Sequence, residues 1–322
     1  MAKRVWMVMM VVLMMAATVQ AAQVGDQTTH TAGGVEFHMR LAPAAMSPAG
    51  PRDNRRARVN TPFWIAETQV TYELWYAVRQ WALSNGYRFA NAGQEGSGGD
   101  PGQAPTSKRN EPVTMVSWRD SIVWSNALSE MLGYDPVYTY EDDVIRDSTN
   151  ATACDNAVQE DTNGFRLPTS NEWELAARYI GPDEPARFMV GSLEVPVSLF
   201  SDGLHWTRGS HASGATRPTY DSLWGNPNPE RVAATRTVAW YGSNSGWKTQ
   251  PVGQRQANGL GLYDMSGNVW EWCFTLWGNS RVLKGGSWNS VPRYLEVGFS
   301  GGGATSDTPS NTRGIRFVRT QF

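Results

Sequence analysis

The sequence predicts a single α+β domain. Three observations lead there. Three segments repeat apolar residues at helical spacing, several short runs alternate as half-buried strands do, and nothing between them reads as a linker or a fixed-period repeat. Composition agrees: 32 Gly, 18 Pro and 15 Trp among 322 residues describe turn-rich backbone held by large rigid aromatic side chains, with few long helices and much irregular loop.

The elements follow in chain order. Lys3 and Arg4 precede the apolar run from Val5 to Ala17, and Val19-Gln-Ala21 supplies small residues for cleavage. Residues 1–21 therefore read as a secretory signal peptide, too short for a comfortable membrane span. An uncleaved anchor is the rival reading, and no cysteine stands ready for a lipid anchor. Residues 22–34 are polar and read as a mobile leader, so the domain is expected over 35–322. Val35 to Leu41 alternates like a first strand and Thr61 to Val70 like a second. Thr71 then caps a helix reaching Gln80 or beyond, with Leu74, Trp75, Val78 and Trp81 inward. Residues 91–110, rich in Gly, Pro, Ser and Gln, read as a surface loop. Ser117 caps a second helix that buries Ile122, Val123, Asn126, Ala127 and Met131 before Gly133 ends it. Thr169 or Ser170 caps a third, with Glu172 in its first turn and Trp173, Ala176 and Ala177 inward. From Pro182 to Arg236 the chain reads as irregular, and from Ala239 onward no long helical period appears.

Charge and motifs exclude several function classes. Twenty-eight basic against 30 acidic residues give a net charge of -2, and the basic residues are dispersed, so a nucleic-acid partner is not expected. The four histidines, His30, His38, His205 and His211, include no pair at helical metal-binding spacing, and no P-loop or nucleophile elbow is present. Cys154 and Cys273, far apart in sequence, are either two buried thiols or a disulfide that export would permit.

Four runs occur in order: Phe63 to Thr71; Pro112 to Trp118; Phe165-Arg-Leu-Pro-Thr-Ser-Asn-Glu-Trp-Glu-Leu-Ala-Ala-Arg178; and Gly259-Leu-Gly-Leu-Tyr-Asp-Met-Ser-Gly-Asn-Val-Trp-Glu-Trp272. Lys284-Gly-Gly-Ser-Trp288 and Gly314-Ile-Arg-Phe317 close the chain. Together they resemble the formylglycine-generating enzyme (sulfatase-modifying factor) family. The resemblance implies a C-type-lectin-like fold: a small twisted antiparallel sheet, a few short helices and long stabilised loops. It also implies calcium, held by Asp264, the carbonyls of Gly267 and Val269, and Glu271, which are hard oxygen ligands within eight residues. The alternative is that Asp264 caps the turn and Glu271 meets an arginine. The family's oxidase needs two cysteines after the Gly-Gly-Ser-aromatic run, where this chain has Ser290 and Leu295. Neither side chain binds copper(I) or passes electrons as a thiolate does, so no copper and no cysteine oxidation are expected.

Between Trp288 and Gly314 lies a segment, 289–313, made of small polar residues, glycines, one Tyr and two Arg, the palette of adaptable recognition loops. Within the same structural family it resembles the variable proteins of diversity-generating retroelements, in which adenine-directed mutagenesis of Asn codons cannot yield Lys, Gln, Glu, Met or Trp. Only Glu296 in the segment belongs to that unreachable set. An unrelated binding loop would pass the same test. The candidate contacts are Ser290, Val291, Arg293, Tyr294, Ser300 and Ala304 in the first part, then Thr305, Ser306, Asp307, Ser310, Asn311 and Thr312. Tyr294 and Arg293 are the expected anchors. The sequence thus points to an exported, non-catalytic binding protein, periplasmic or at the cell surface, whose partner is a protein or cell-surface ligand. The alternative is an enzyme or accessory factor of the same family with another chemistry.

Overall fold

The alternation that marks Val35 onward becomes the strand Val35–Ala42, second in a five-stranded antiparallel sheet. The computed structural model describes residues 21–181, 187–190, 193–196, 205–219 and 228–322, so the expected signal segment falls outside it except for Ala21. The sheet order is Gln27–Ala32, Val35–Ala42, Phe63–Ala66, Val318–Thr320, Phe165–Arg166, which brings the end of the chain into the middle of the sheet. Its first strand corrects the expected mobile leader. Gln27–Ala32 pairs residue for residue with Val35–Ala42, Gly33 and Gly34 supply the left-handed turn between them, and His30 stacks on Phe37 at 5.2 Å. Threonine-rich strands look polar in composition but pair well. The second expected strand is shorter than its pattern, Phe63–Ala66 only, because Val70 N–H turns away to the Ile315 carbonyl at 2.9 Å.

Three helices stand where the apolar spacing puts them. α1 (Tyr72–Ser84) is capped by Thr71, α2 (Trp118–Met131) by a Ser117/Asp120 capping box. Trp75 and Trp124 stack between them at 5.6 Å with an interplanar angle of 7°, which fixes α1 against α2. α3 (Ala151–Asp155) is a short turn before the third expected helix, α4 (Ser170–Arg178), which carries a Thr169/Glu172 capping box. α5 (Pro229–Val238) was not expected: the segment 182–236 also holds a hairpin of Arg187–Val190 with Leu193–Pro196. α5 buries only Thr235 and Val238, so it has almost no apolar period to read. The expected surface loop 91–110 is tucked in near its start, where Gln94–Glu95 pairs with Val113–Thr114 and the Glu95 carboxylate accepts the Thr106 N–H at 2.7 Å.

The second sheet carries the C-terminal segment. Its order is Gly301–Ala304, Ser280–Lys284, Trp270–Trp277, Arg313–Gly314, with the last pair parallel. α4 ties it to the rest through buried charge. Lys284 Nζ lies 2.9 Å from Glu174, whose other oxygen lies 2.7 Å from Arg178, and Arg178 reaches Asp53 at 2.6 Å. Cys154 and Cys273 are buried free thiols, so the thiol alternative holds and no disulfide joins them. Burial pushes the Cys154 thiol up to about 12.

Candidate functional site

After Ser280–Lys284 the chain leaves the sheet through Gly285 and Gly286, both left-handed. A Cβ on Gly286 would sit 2.8 Å from the Tyr294 carbonyl, so this close return of the chain requires glycine. Ser287 and Ser290 close the turn: Ser287 N–H donates to Ser290 Oγ at 2.9 Å, and Ser290 is only 5% exposed. One turn of 3-10 helix, Pro292–Leu295, then drives Leu295 fully into a pocket of Ala212, Val238, Ala239 and Tyr241. The two positions where the oxidase family has cysteines are therefore a turn-closing hydroxyl and a core isobutyl group.

These packing roles divide the expected contacts. Ser290 and Ala304 are corrections: Ser290 is consumed by its turn, and Ala304 pairs with Arg281 inside the sheet, where it is buried. Val291, which caps the 3-10 turn, and Arg293 and Tyr294 on it are exposed. The Tyr294 ring rests 5.0 Å from Phe299 and 6.0 Å from Trp270, so the backbone beneath it is held while the ring stays 41% exposed. Thr305 and Asp307 are exposed on the second arm. Ser300, Ser306, Ser310, Asn311 and Thr312 are half-buried and already engaged: Ser300 Oγ lies 3.4 Å from Lys284 Nζ, Ser306 Oγ donates to Asp155 at 2.6 Å, Ser310 and Thr312 hydroxyls meet at 2.9 Å, and Asn311 donates to the Ser97 carbonyl at 3.4 Å. Trp288 joins the two arms through its indole N–H, which donates to the Asn311 carbonyl at 3.0 Å.

One residue of this surface escaped the sequence reading. Trp247 is 69% exposed with φ 59°, and Ser245 Oγ, which accepts its N–H, donates to the Trp288 carbonyl at 2.7 Å. A tryptophan inside the turn Gly242-Ser-Asn-Ser-Gly-Trp247 was the available signal, since such turns rarely bury a large side chain.

Beneath this surface lies the set of oxygens expected to hold calcium. Asp264, Gly267 and Asn268 all take positive φ, and a Cβ on Gly267 would fall 2.1 Å from the Trp240 carbonyl. That backbone aims the carbonyls of Asp264, Gly267 and Val269 and Oε1 of Glu271 at one point. The point is filled by a side chain from the other half of the sequence: Gln69 Nε2 donates toward them at 3.1, 3.2, 2.9 and 3.0 Å. Glu271 is further held by Arg316, whose Nη2 lies 2.9 Å away, and by Trp173 Nε1 at 2.6 Å. Asp264 Oδ2 accepts the Gly253 N–H at 2.7 Å, and burial raises its carboxyl to about 6. Calcium does not fit this arrangement, because an amide nitrogen stands where the ion would and the acidic ligand already has its cation. The alternative for Glu271, an arginine partner, is what the fold provides.

The chain matches the sulfatase-modifying factor enzyme 1-like domain over residues 15–321. It belongs to that family. The formylglycine-generating enzyme of Thermomonospora curvata is 27% identical over 208 residues, 58% of this chain and 48% of that enzyme. The chaperone protein LppX of Paenibacillus barcinonensis is 31% identical over 231 residues, 62% of this chain and 68% of that protein. Among solved structures, Treponema denticola variable protein 1 superposes with a TM-score of 0.62 and 28% identity, covering 92% of this chain and 99% of that one. The fold is thus that of the sulfatase-modifying factors, with a variable protein among its relatives. Among the described residues no helix is long and apolar enough to cross a membrane.

Proposed function

We propose that this protein is an exported, non-catalytic binding protein whose fixed scaffold presents a recognition surface built from residues 289–313. The observation that carries this reading is the division of labour inside that segment. Leu295, Val297 and Ala304 are buried and hold its path, whereas Val291, Arg293, Tyr294, Thr305 and Asp307 face solvent from that fixed path. A surface that must change its chemistry without unfolding needs that separation. The whole-chain similarity to a variable protein supports it, as do Ser290 and Leu295 where thiols would be needed for copper. The N-terminal charged and apolar segment supports export to the periplasm or cell surface, and the partner is a protein or a cell-surface ligand. Trp247 adds an exposed large aromatic whose backbone is tied through Ser245 to the Trp288 carbonyl.

The test is a pair of libraries. Randomising Val291, Arg293, Tyr294, Thr305 and Asp307 should leave most clones folded, with thermal midpoints close to the parent. Randomising Ser290, Leu295, Val297 and Ala304 should leave few. Equal tolerance in both would end the proposal, as would copper binding with oxygen-dependent oxidation of a cysteine peptide. The similarity to a protein named a chaperone favours a second reading, an accessory factor acting on another protein. That reading predicts suppressed aggregation of an unfolded client, unaffected by Tyr294→Ala.

A further inference from the structure

We infer that Gln69 is a built-in substitute for a divalent cation: its amide nitrogen fills a preformed oxygen cage, makes the scaffold independent of calcium, and keeps a cation site closed that its removal would open. The cage is over-supplied with acceptors. An amide nitrogen has two hydrogens, yet the Asp264, Gly267 and Val269 carbonyls and Glu271 Oε1 all stand within 3.2 Å of it. In addition, Gln69 Oε1 and Asp264 Oδ1, both buried, find no hydrogen-bond partner among the described residues. A site designed around an amide would match donors to acceptors. Convergent hard oxygens in excess of donors are what a calcium-sized ion satisfies.

The cage also carries weight for the surface above it. Asn268, between the cage carbonyls of Gly267 and Val269, accepts the Trp288 N–H at 2.7 Å, and Trp270 N–H donates to the Thr312 carbonyl at 2.8 Å. Gln69 thus fastens Phe63–Ala66 and its following turn to the strand that seats both arms of the segment 289–313. A side-chain amide does this without any ion, so the surface would keep its shape where free calcium is scarce. Charge sets the affinity of the opened site. Glu271 is shared with Arg316, and the oxygens sit wider than the ~2.3–2.6 Å of calcium coordination, so the expected binding is weak, in the millimolar range of extracellular modules.

The experiment is a thermal melt of the full chain and of Gln69→Ala in EDTA, in millimolar calcium and in millimolar magnesium, with terbium luminescence as a second readout. Trp173, 2.6 Å from Glu271, should sensitise any terbium held in the cage. The wild-type midpoint should be unmoved by calcium or EDTA, and terbium emission should be absent. Q69A should melt lower in EDTA, regain roughly 2–4 °C in calcium but not magnesium, and give sensitised emission. Should Q69A fail to fold, Gln69→Asn, an amide too short to reach the centre, is read the same way. A wild-type midpoint that rises with calcium or falls with EDTA would overturn the inference, as would a folded variant blind to calcium and terbium.

Discussion

His211 links the framework to the recognition segment at the level of a single residue. Its carbonyl accepts the Val297 N–H at 2.8 Å, one element below the exposed turn, and its imidazole is buried. Burial, then the charges of Arg208, Arg231 and Arg178, lower it to about 3 from the ordinary 6.5. The folded protein therefore keeps this ring neutral, while the unfolded chain takes up a proton below pH 6.5. Stability from this group is complete above 6.5 and falls as the pH drops toward 3, by about 2 kcal/mol at pH 5. His30, lowered by burial and by Arg319, acts in the same direction, and the raised carboxyls of Asp264 and Glu111 act in the opposite one. Comparing His211→Gln with the parent isolates the share of His211. Urea midpoints at pH 7.5 and 5.0 should separate less in the variant, and equal separation would show that the ring titrates normally.

At the scale of elements, α4 shows how local and tertiary signals combine. Thr169 Oγ1 accepts the Glu172 N–H at 3.2 Å, Glu172 returns the bond to the Thr169 N–H at 2.8 Å, and the same carboxylate meets Arg166 at 2.7 Å. Thr169→Ala should cost about 1 kcal/mol, and Thr169→Ser close to nothing, in chemical denaturation. Glu172→Gln should cost more, roughly 3–5 kcal/mol, because it strands a buried guanidinium. Helices α1, α2 and α4 were legible because a cap residue and an apolar period mark each of them. α3 is too short for a period, and α5 has a cap and an N-terminal proline but buries two residues. The segment 289–313 was legible from its flanking Trp288 and Gly314, yet composition could not tell that Ser290 and Ala304 point inward. Gln69 was invisible for another reason. It lies 195 residues before the first oxygen it meets, and nothing in its own neighbourhood marks a polar side chain that the fold will bury.

For the whole molecule, the decisive element is the one composition misjudged. The sheet that holds α1, α2 and the end of the chain begins with Gln27–Ala32, and without that strand Val35–Ala42 becomes an edge. The loss is more than backbone bonds. His30 stacks on Phe37 at 5.2 Å and meets Phe165 edge-on at 5.7 Å, while Ala32 is buried in the main core. Phe37 and Phe165 in turn pack on Phe317, four residues beyond Arg313, so the first strand supports the far end of the recognition segment through three rings. A chain beginning at residue 35 should therefore lose at least about 2 kcal/mol, or roughly 4–8 °C, relative to one beginning at residue 22. It should also scatter light in a concentration-dependent way, since an open strand with apolar alternation recruits other strands. A truncated protein that melts at the parental temperature and keeps the parental oligomeric state would return residues 22–34 to the status of a dispensable leader. It would also place the origin of the sheet's stability in the pairing of Val35–Ala42 with Phe63–Ala66 alone.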